Sequence, residues 1–178
     1  MRIENYEARI GIEDYIKDYV DVPKFLEACK ACPFYGVTWA CPPFDFDPLE
    51  FLRKYKTLVI YCRKYVFEED EGDYEGLDLQ AFFYKCRAEL AQELYVKEKE
   101  QPGSVGLLGG ACDICGFENC TRRQGKPCRF PQYMRHNLES LGGDVMKISR
   151  DFFDIEPAWP DENGKLPYMI FVTGLLRP

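Results

Sequence analysis

The longest stretch of regular patterning runs from residue 77 to 100, LDLQAFFYKCRAELAQELYVKEKE. Apolar side chains recur there at helical spacing up to a Gln-Pro-Gly stop, which predicts one long helix. Residues 47–67, DPLEFLRKYKTLVIYCRKYVF, predict a helix and then a strand. Asp47 is suited to cap that helix and Pro48 to open it. The run TLVIYC is β-branched and apolar enough for a buried strand. Gly11 to Ala28 read as a helix or two short turns, and the residues before Gly11 carry no predicted element. Pro131 opens a predicted short helix that continues through Leu141 and is closed by Gly142 and Gly143. DVMKIS (144–149) and PYMIFVTGLL (167–176) predict strands. The acidic segment EEDEGDYEG (68–76) reads as a solvated loop, without the spacing or terminal Glu of a calcium-binding loop. This mixed order predicts an α/β or α+β fold: a single mixed-sheet domain over residues 1–178, with helices and two cysteine-rich loops at 29–44 and 109–130.

Composition narrows the picture. A chain of 178 residues that is 46% hydrophobic can bury the core of one domain. Its formal charge of −7 argues against general affinity for nucleic acid or an anionic membrane surface. The N-terminal stretch lacks the apolar run of a signal peptide, and YMIFVTGLL falls well short of the roughly 20 residues needed to span a bilayer. The expectation is a soluble, cytoplasmic protein with no nucleic-acid or membrane partner. Nine cysteines in a reducing compartment then point to metal, catalysis or burial rather than disulfides. His136 is the only histidine, which excludes His-rich zinc sites.

Seven of the cysteines fall into two groups. Cys112, Cys115, Cys120 and Cys128 are spaced C-x2-C-x4-C-x7-C, a continuous wrap rather than the two separated knuckles of a zinc ribbon. Four thiolates so close in sequence can surround one tetrahedral ion or offer themselves to the corners of a cubane. The spacing points first to iron–sulfur, with zinc as the alternative. Cys29, Cys32 and Cys41 form a C-x2-C-x8-C group in which proline follows both Cys32 and Cys41, as it follows cluster ligands in bacterial ferredoxins. Three thiols leave one iron without a local cysteine; Cys62, a carboxylate and solvent are the candidate fourth ligands. Cys62, in the predicted strand, and Cys86, in the long helix, read more simply as small buried apolar side chains.

The surroundings of these groups carry chemistry of their own. The glycines of GSVGLLGGAC let backbone approach sulfur closely and donate amides to it. Arg122, Arg123, Lys126, Arg129 and Arg135 form a basic patch in an acidic chain, suited to offset thiolate charge or to dock an acidic or phosphate-bearing partner. Tyr35, Trp39 and Phe44 read as shields against water.

CPFYGVTWACPPF (32–44), GGACDIC (109–115) and PCRFPQYMRHNLESLGGDV (127–145) together resemble the DUF2284 family of predicted metal-binding proteins, found in anaerobic bacteria and archaea. The resemblance implies cysteine-bound metal at Cys29, Cys32, Cys41, Cys112, Cys115, Cys120 and Cys128, and carries no settled activity with it. The combined expectation is a protein with one or two [4Fe–4S] clusters and a redox or electron-transfer function in an anaerobe, facing a redox partner protein or a small-molecule substrate. Two alternatives stand beside it: an enzyme with an open iron at the three-cysteine group, and a zinc-stabilised interaction module.

Overall fold

The computed structural model describes residues 1–67, 78–162 and 165–178. The acidic segment predicted as a solvated loop lies outside the described residues.

Two apolar strands organise the chain. β2 (Thr57–Val66) and β4 (Tyr168–Arg177) pair antiparallel over their full length, from Thr57 opposite Arg177 to Val66 opposite Tyr168. Both are apolar nearly throughout because the sheet is covered on both faces, so alternate side chains enter different cores. Leu58, Ile60 and Cys62 meet Val172 and Leu176 in one core, while Tyr65, Phe67 and Phe171 enter the other. β1 (Arg2–Gly11) flanks β2 and β3 (Val105–Leu107) flanks β4, which gives the order β1-β2-β4-β3, antiparallel at every pairing. The fold is therefore mixed α/β around a four-stranded sheet, as expected.

Helices close the two faces. Ile12 and Tyr15 of α1 (Ile12–Tyr19), Leu52 of α3 (Pro48–Leu52) and Ile148 of α5 (Val145–Phe153) cover the first. α4 (Leu79–Glu100) covers the second through Cys86, Leu90, Ala91 and Leu94. α2 (Val22–Lys30) follows α1 directly and delivers Cys29 at its last turn. The break between them is chemical: Asp21 accepts a hydrogen bond from the Lys24 amide at 3.1 Å, and Pro23 opens the new helix. Asp47 caps α3 in the same way, accepting from the amides of Leu49 at 2.7 Å and Glu50 at 3.1 Å. Asp78 caps α4.

Three expectations are corrected. The segment 144–149 is no strand; it opens α5, where Val145, Ile148, Ser149 and Phe152 follow helical spacing behind an Asp144 cap. Six residues were too short a window to separate the two periods. The predicted helix from Pro131 to Leu141 is reduced to a 3₁₀ turn at Glu139–Leu141. Its backbone bonds elsewhere, with the Leu108 amide donating to the His136 carbonyl at 2.9 Å. The first residues, left without an element, form edge strand β1, whose alternation of half-buried Tyr6, Ala8 and Ile10 with exposed neighbours is the signal that marks it.

The Gly142–Gly143 pair closes this region by close approach. A Cβ on Gly143 would stand 2.8 Å from the Leu138 carbonyl oxygen and press on the Tyr15 hydroxyl, neither of which can retreat easily from the core. Gly143→Ala is expected to cost about 1–3 kcal/mol, the usual range for overpacking, as a lower midpoint in anaerobic chemical denaturation.

Candidate metal centre

Both cysteine groups lie on irregular loops leaving regular elements. Cys29 ends α2, with Cys32 and Cys41 in the turns beyond it. Cys112, Cys115, Cys120 and Cys128 follow β3 through a path whose only regular pieces are 3₁₀ turns at Phe117–Asn119 and Thr121–Gln124. Each loop is tied internally by short turn hydrogen bonds, such as Gly36 N–H to the Pro42 carbonyl and Lys126 N–H to the Thr121 carbonyl, and three contacts hold the loops to each other and to the helical layer.

Arg122 is the first. From the second loop it donates to the Thr38 carbonyl at 2.6 Å and to the carbonyls of Cys41 and Pro43, three acceptors on the first loop. Its guanidinium carbon also stands 5.3 Å from the centre of the Trp39 ring. The second contact is aromatic: the Phe34 and Phe117 rings, one from each loop, lie 4.4 Å apart. The third is Arg87 of α4, only 3% exposed, which donates to the Gly109 carbonyl at 3.0 Å and pairs with the Asp113 carboxylate.

The thiols sort into two cavities. Cys112, Cys115, Cys120 and Cys128 all line one, closed by Trp39, Phe130 and Met134 and only about 10 Å³ in volume. Cys29, Cys32 and Cys41 all line the other, about 310 Å³, among Phe34, Tyr84 and Phe117. As placed, no three of the Cys, His, Asp or Glu side chains among the described residues converge at single-ion spacing. Each quartet or trio shares a cavity without closing on one point.

Burial holds at least one thiol at each site in its neutral form. Burial pushes the Cys29 thiol up to about 11 and raises Cys41 and Cys112 above the ordinary thiol range. Thr38, Arg122 and, least, Arg87 pull Cys41 back down; for Cys112 the donating Ile114 amide does so first and Arg87 second. Thiols this desolvated become thiolates only beside concentrated positive charge, which a metal group supplies. The Trp39 Nε1 donor is buried at the four-thiol cavity with no hydrogen-bond partner among the described residues. An indole N–H placed there lacks an acceptor that sulfur would provide. The donor set and this orphaned N–H fit a thiolate-bound metal group.

Other predicted features fare differently. Cys62 is 1% exposed in the sheet core, and Cys86 is buried under α4, so both serve as small apolar side chains. Neither lines the cavities of the grouped thiols. The basic patch is largely occupied: Arg122 turns inward, Arg135 donates to Glu98 at 2.6 Å, Arg123 pairs with Glu118 and Arg129 bonds the Asn119 carbonyl. Lys126 is exposed. Of the expected aromatic shields, Trp39 covers the four-thiol cavity rather than the trio beside it in sequence, while Phe44 packs into the core against Phe46 and His136. His136 sits among Phe44, Phe46 and Phe51 with Nδ1 at 3.2 Å from the Ala40 carbonyl. The glycines chiefly free carbonyls: Gly109 accepts from Arg87, and Gly110, at φ 71°, accepts from Asn137 at 2.9 Å. Sequence reasoning missed Arg87 and Glu139. A lone arginine inside the apolar stripe of Phe83, Leu90, Ala91 and Leu94 was the available signal for Arg87.

Two sets of thiols, clamped together at one end of a covered sheet, fit a cysteine-rich metal-binding protein. The family model for predicted metal-binding proteins of DUF2284 matches residues 15–176. The chain belongs to the DUF2284 family. Searches of curated proteins and of solved structures gave no match. Among the described residues, no helix is long and apolar enough to cross a membrane.

The Arg122 clamp is open to a direct check. Lysine keeps the charge but lacks the fork that reaches three carbonyls. Arg122→Lys is expected to raise amide hydrogen exchange across residues 36–44 while β2 and β4 stay protected. Unchanged exchange there would show that the loops hold without the clamp.

Proposed function

We propose that this protein carries [4Fe–4S] clusters and has a redox function, with Cys112, Cys115, Cys120 and Cys128 holding one cluster and Cys29, Cys32 and Cys41 a second. The observation that carries the reading is the partition of the seven grouped thiols into two cavities joined by one clamp. Such clusters exchange single electrons at potentials set by charge, hydrogen bonds and solvent exposure. What the chain contributes is those settings. Arg87, lying close enough to act on both Cys41 and Cys112, offsets thiolate charge at both sites. Trp39, Phe130 and Met134 line the four-thiol site, and the Trp39 N–H is suited to bond sulfur. Against a single structural zinc stands the continuous C-x2-C-x4-C-x7-C wrap, unlike the two separated knuckles of a zinc ribbon.

A second reading is favoured by the difference between the cavities. The space beside the thiols is about 310 Å³ at the three-thiol site against about 10 Å³ at the four-thiol site, so a small molecule is better accommodated at the former. On that reading the first cluster relays electrons and the second receives a small molecule, in an enzyme rather than a simple carrier. The physiological setting proposed is the reducing cytoplasm of an anaerobe, with a redox partner protein completing the electron path.

Anaerobic purification with iron and sulfide analysis tests the proposal. About eight iron and eight sulfide per chain are expected for two cubanes, with the reduced protein giving an electron paramagnetic resonance signal. Cys115→Ser is expected to halve the iron and remove one signal. Colourless protein with stoichiometric zinc under strict anaerobiosis would overturn the iron reading. Cyanide is expected to perturb one cluster only; a spectrum that does not respond defeats the enzyme reading.

A further inference from the structure

The three-thiol cavity contains one donor that neither cysteine spacing nor the family resemblance assigns. Glu139 lines it, and its Oε2 is shielded from solvent with no hydrogen-bond partner among the described residues. A buried carboxylate oxygen without a partner costs several kcal/mol unless a proton or a cation meets it. Such an atom in a packed structure calls for a ligand.

The backbone around Glu139 is fixed. The Ser140 amide donates to Asn137 Oδ1 at 2.6 Å, and the Ser140 hydroxyl donates to the Asn137 carbonyl at 3.0 Å. Asn137 in turn donates to Gly110 in the second cysteine loop at 2.9 Å, and the Leu108 amide holds the His136 carbonyl at 2.9 Å. Gly142, at φ 94°, lets the chain reverse immediately afterwards. These bonds engage the Asn137 and Ser140 side chains of the cavity, while Glu139 keeps one carboxylate oxygen, Oε2, without a partner among the described residues. Cys62, the sequence candidate for a fourth ligand, faces the sheet core and a separate cavity of about 350 Å³ beside Tyr6 and Thr173. It cannot serve the trio without leaving β2.

We propose that Glu139 supplies the fourth, non-thiol donor of the three-cysteine site, completing a set with Cys29, Cys32 and Cys41. The inference rests on the cluster reading above. A carboxylate is a harder and weaker partner for cluster iron than a thiolate, so it holds the fourth iron yet yields to an incoming ligand. Glu139 also walls a second, apolar cavity of about 320 Å³ lined by Met146, Trp159 and Met169, so its carboxylate stands at the meeting of two spaces.

The experiment compares anaerobic, iron-57-labelled wild type with Glu139→Gln and Glu139→Cys by Mössbauer and electron paramagnetic resonance spectroscopy, before and after graded ferricyanide. Wild type is expected to show one iron with parameters distinct from all-sulfur coordination. Glu139→Cys is expected to convert that iron to the all-sulfur type and abolish the cyanide response. In Glu139→Gln the fourth iron is expected to leave as a ferrous ion, giving a three-iron signal at ferricyanide concentrations lower by about tenfold, the usual scale for weakening a metal site. The four-cysteine cluster in the same molecule reports that each variant is folded. Variants indistinguishable from a cluster-bearing wild type would overturn this assignment and leave the cluster reading intact. Should Glu139→Gln fail to fold, the wild-type spectrum decides: uniform sulfur coordination overturns the assignment. A wild type with only the four-cysteine cluster does so too, and an iron-free wild type sinks both.

Discussion

Arg122 joins stretches of chain that stand 84 residues apart, and the arrangement of both cysteine loops follows from that connection. The loops run outside helix and sheet on short turn hydrogen bonds, and carbonyls at the end of the first loop take a further donor from the second. One guanidinium satisfies three of them at once. A hydrogen bond to a charged group contributes roughly 1.5–3 kcal/mol net. Burial lowers the pKa of Arg122, and the thiols of Cys41 and Cys120 raise it again. The clamp and the sulfur chemistry are thus one electrostatic unit, in which the cation that fixes the loops also opposes the charge they carry.

Arg87 extends that unit into the helical layer. A cation buried in the apolar face of α4 would be costly on its own. The Asp113 carboxylate and the Gly109 carbonyl offset that cost, and both belong to the segment leading into the second cysteine group. The long helix therefore does two jobs. Leu90, Ala91 and Leu94 bury one face of the sheet, and one turn earlier Arg87 sets the charge between two groups of thiols. Removing Arg87 would leave Asp113 without its cation and both thiol groups less compensated.

Most of the framework was legible in the sequence because its signals are local. β2, β4 and α4 carry dense apolar patterns, and the aspartate caps of α3 and α4 stand at their helix starts. β1 was harder, since an edge strand with one solvent-facing side reads as polar. The region 131–145 misled for another reason: its backbone is satisfied by Leu108 and by the Asn137 and Ser140 side chains, partners that no local period encodes. The grouped cysteines were visible from spacing alone. Their division into a closed cavity and an open one was not, because Trp39 reaches the four-thiol cavity from the other cysteine loop and Glu139 reaches the trio from a segment 98 residues beyond Cys41.

That exchange of parts between loops bears on how the two sites divide their work. Each site is lined by a non-cysteine group from a distant stretch of chain, Trp39 at the four-thiol cavity and Glu139 at the three-thiol cavity. The four-thiol site borrows an apolar ring, Trp39, which covers a small cavity while the Cys112, Cys115 and Cys128 thiols stay half-buried. The three-thiol site borrows a carboxylate inside a roomy cavity, which keeps a polar, exchangeable position available at its edge. With Arg122 and the Phe34–Phe117 contact holding the loops against each other, the closed site stands directly beside the open one.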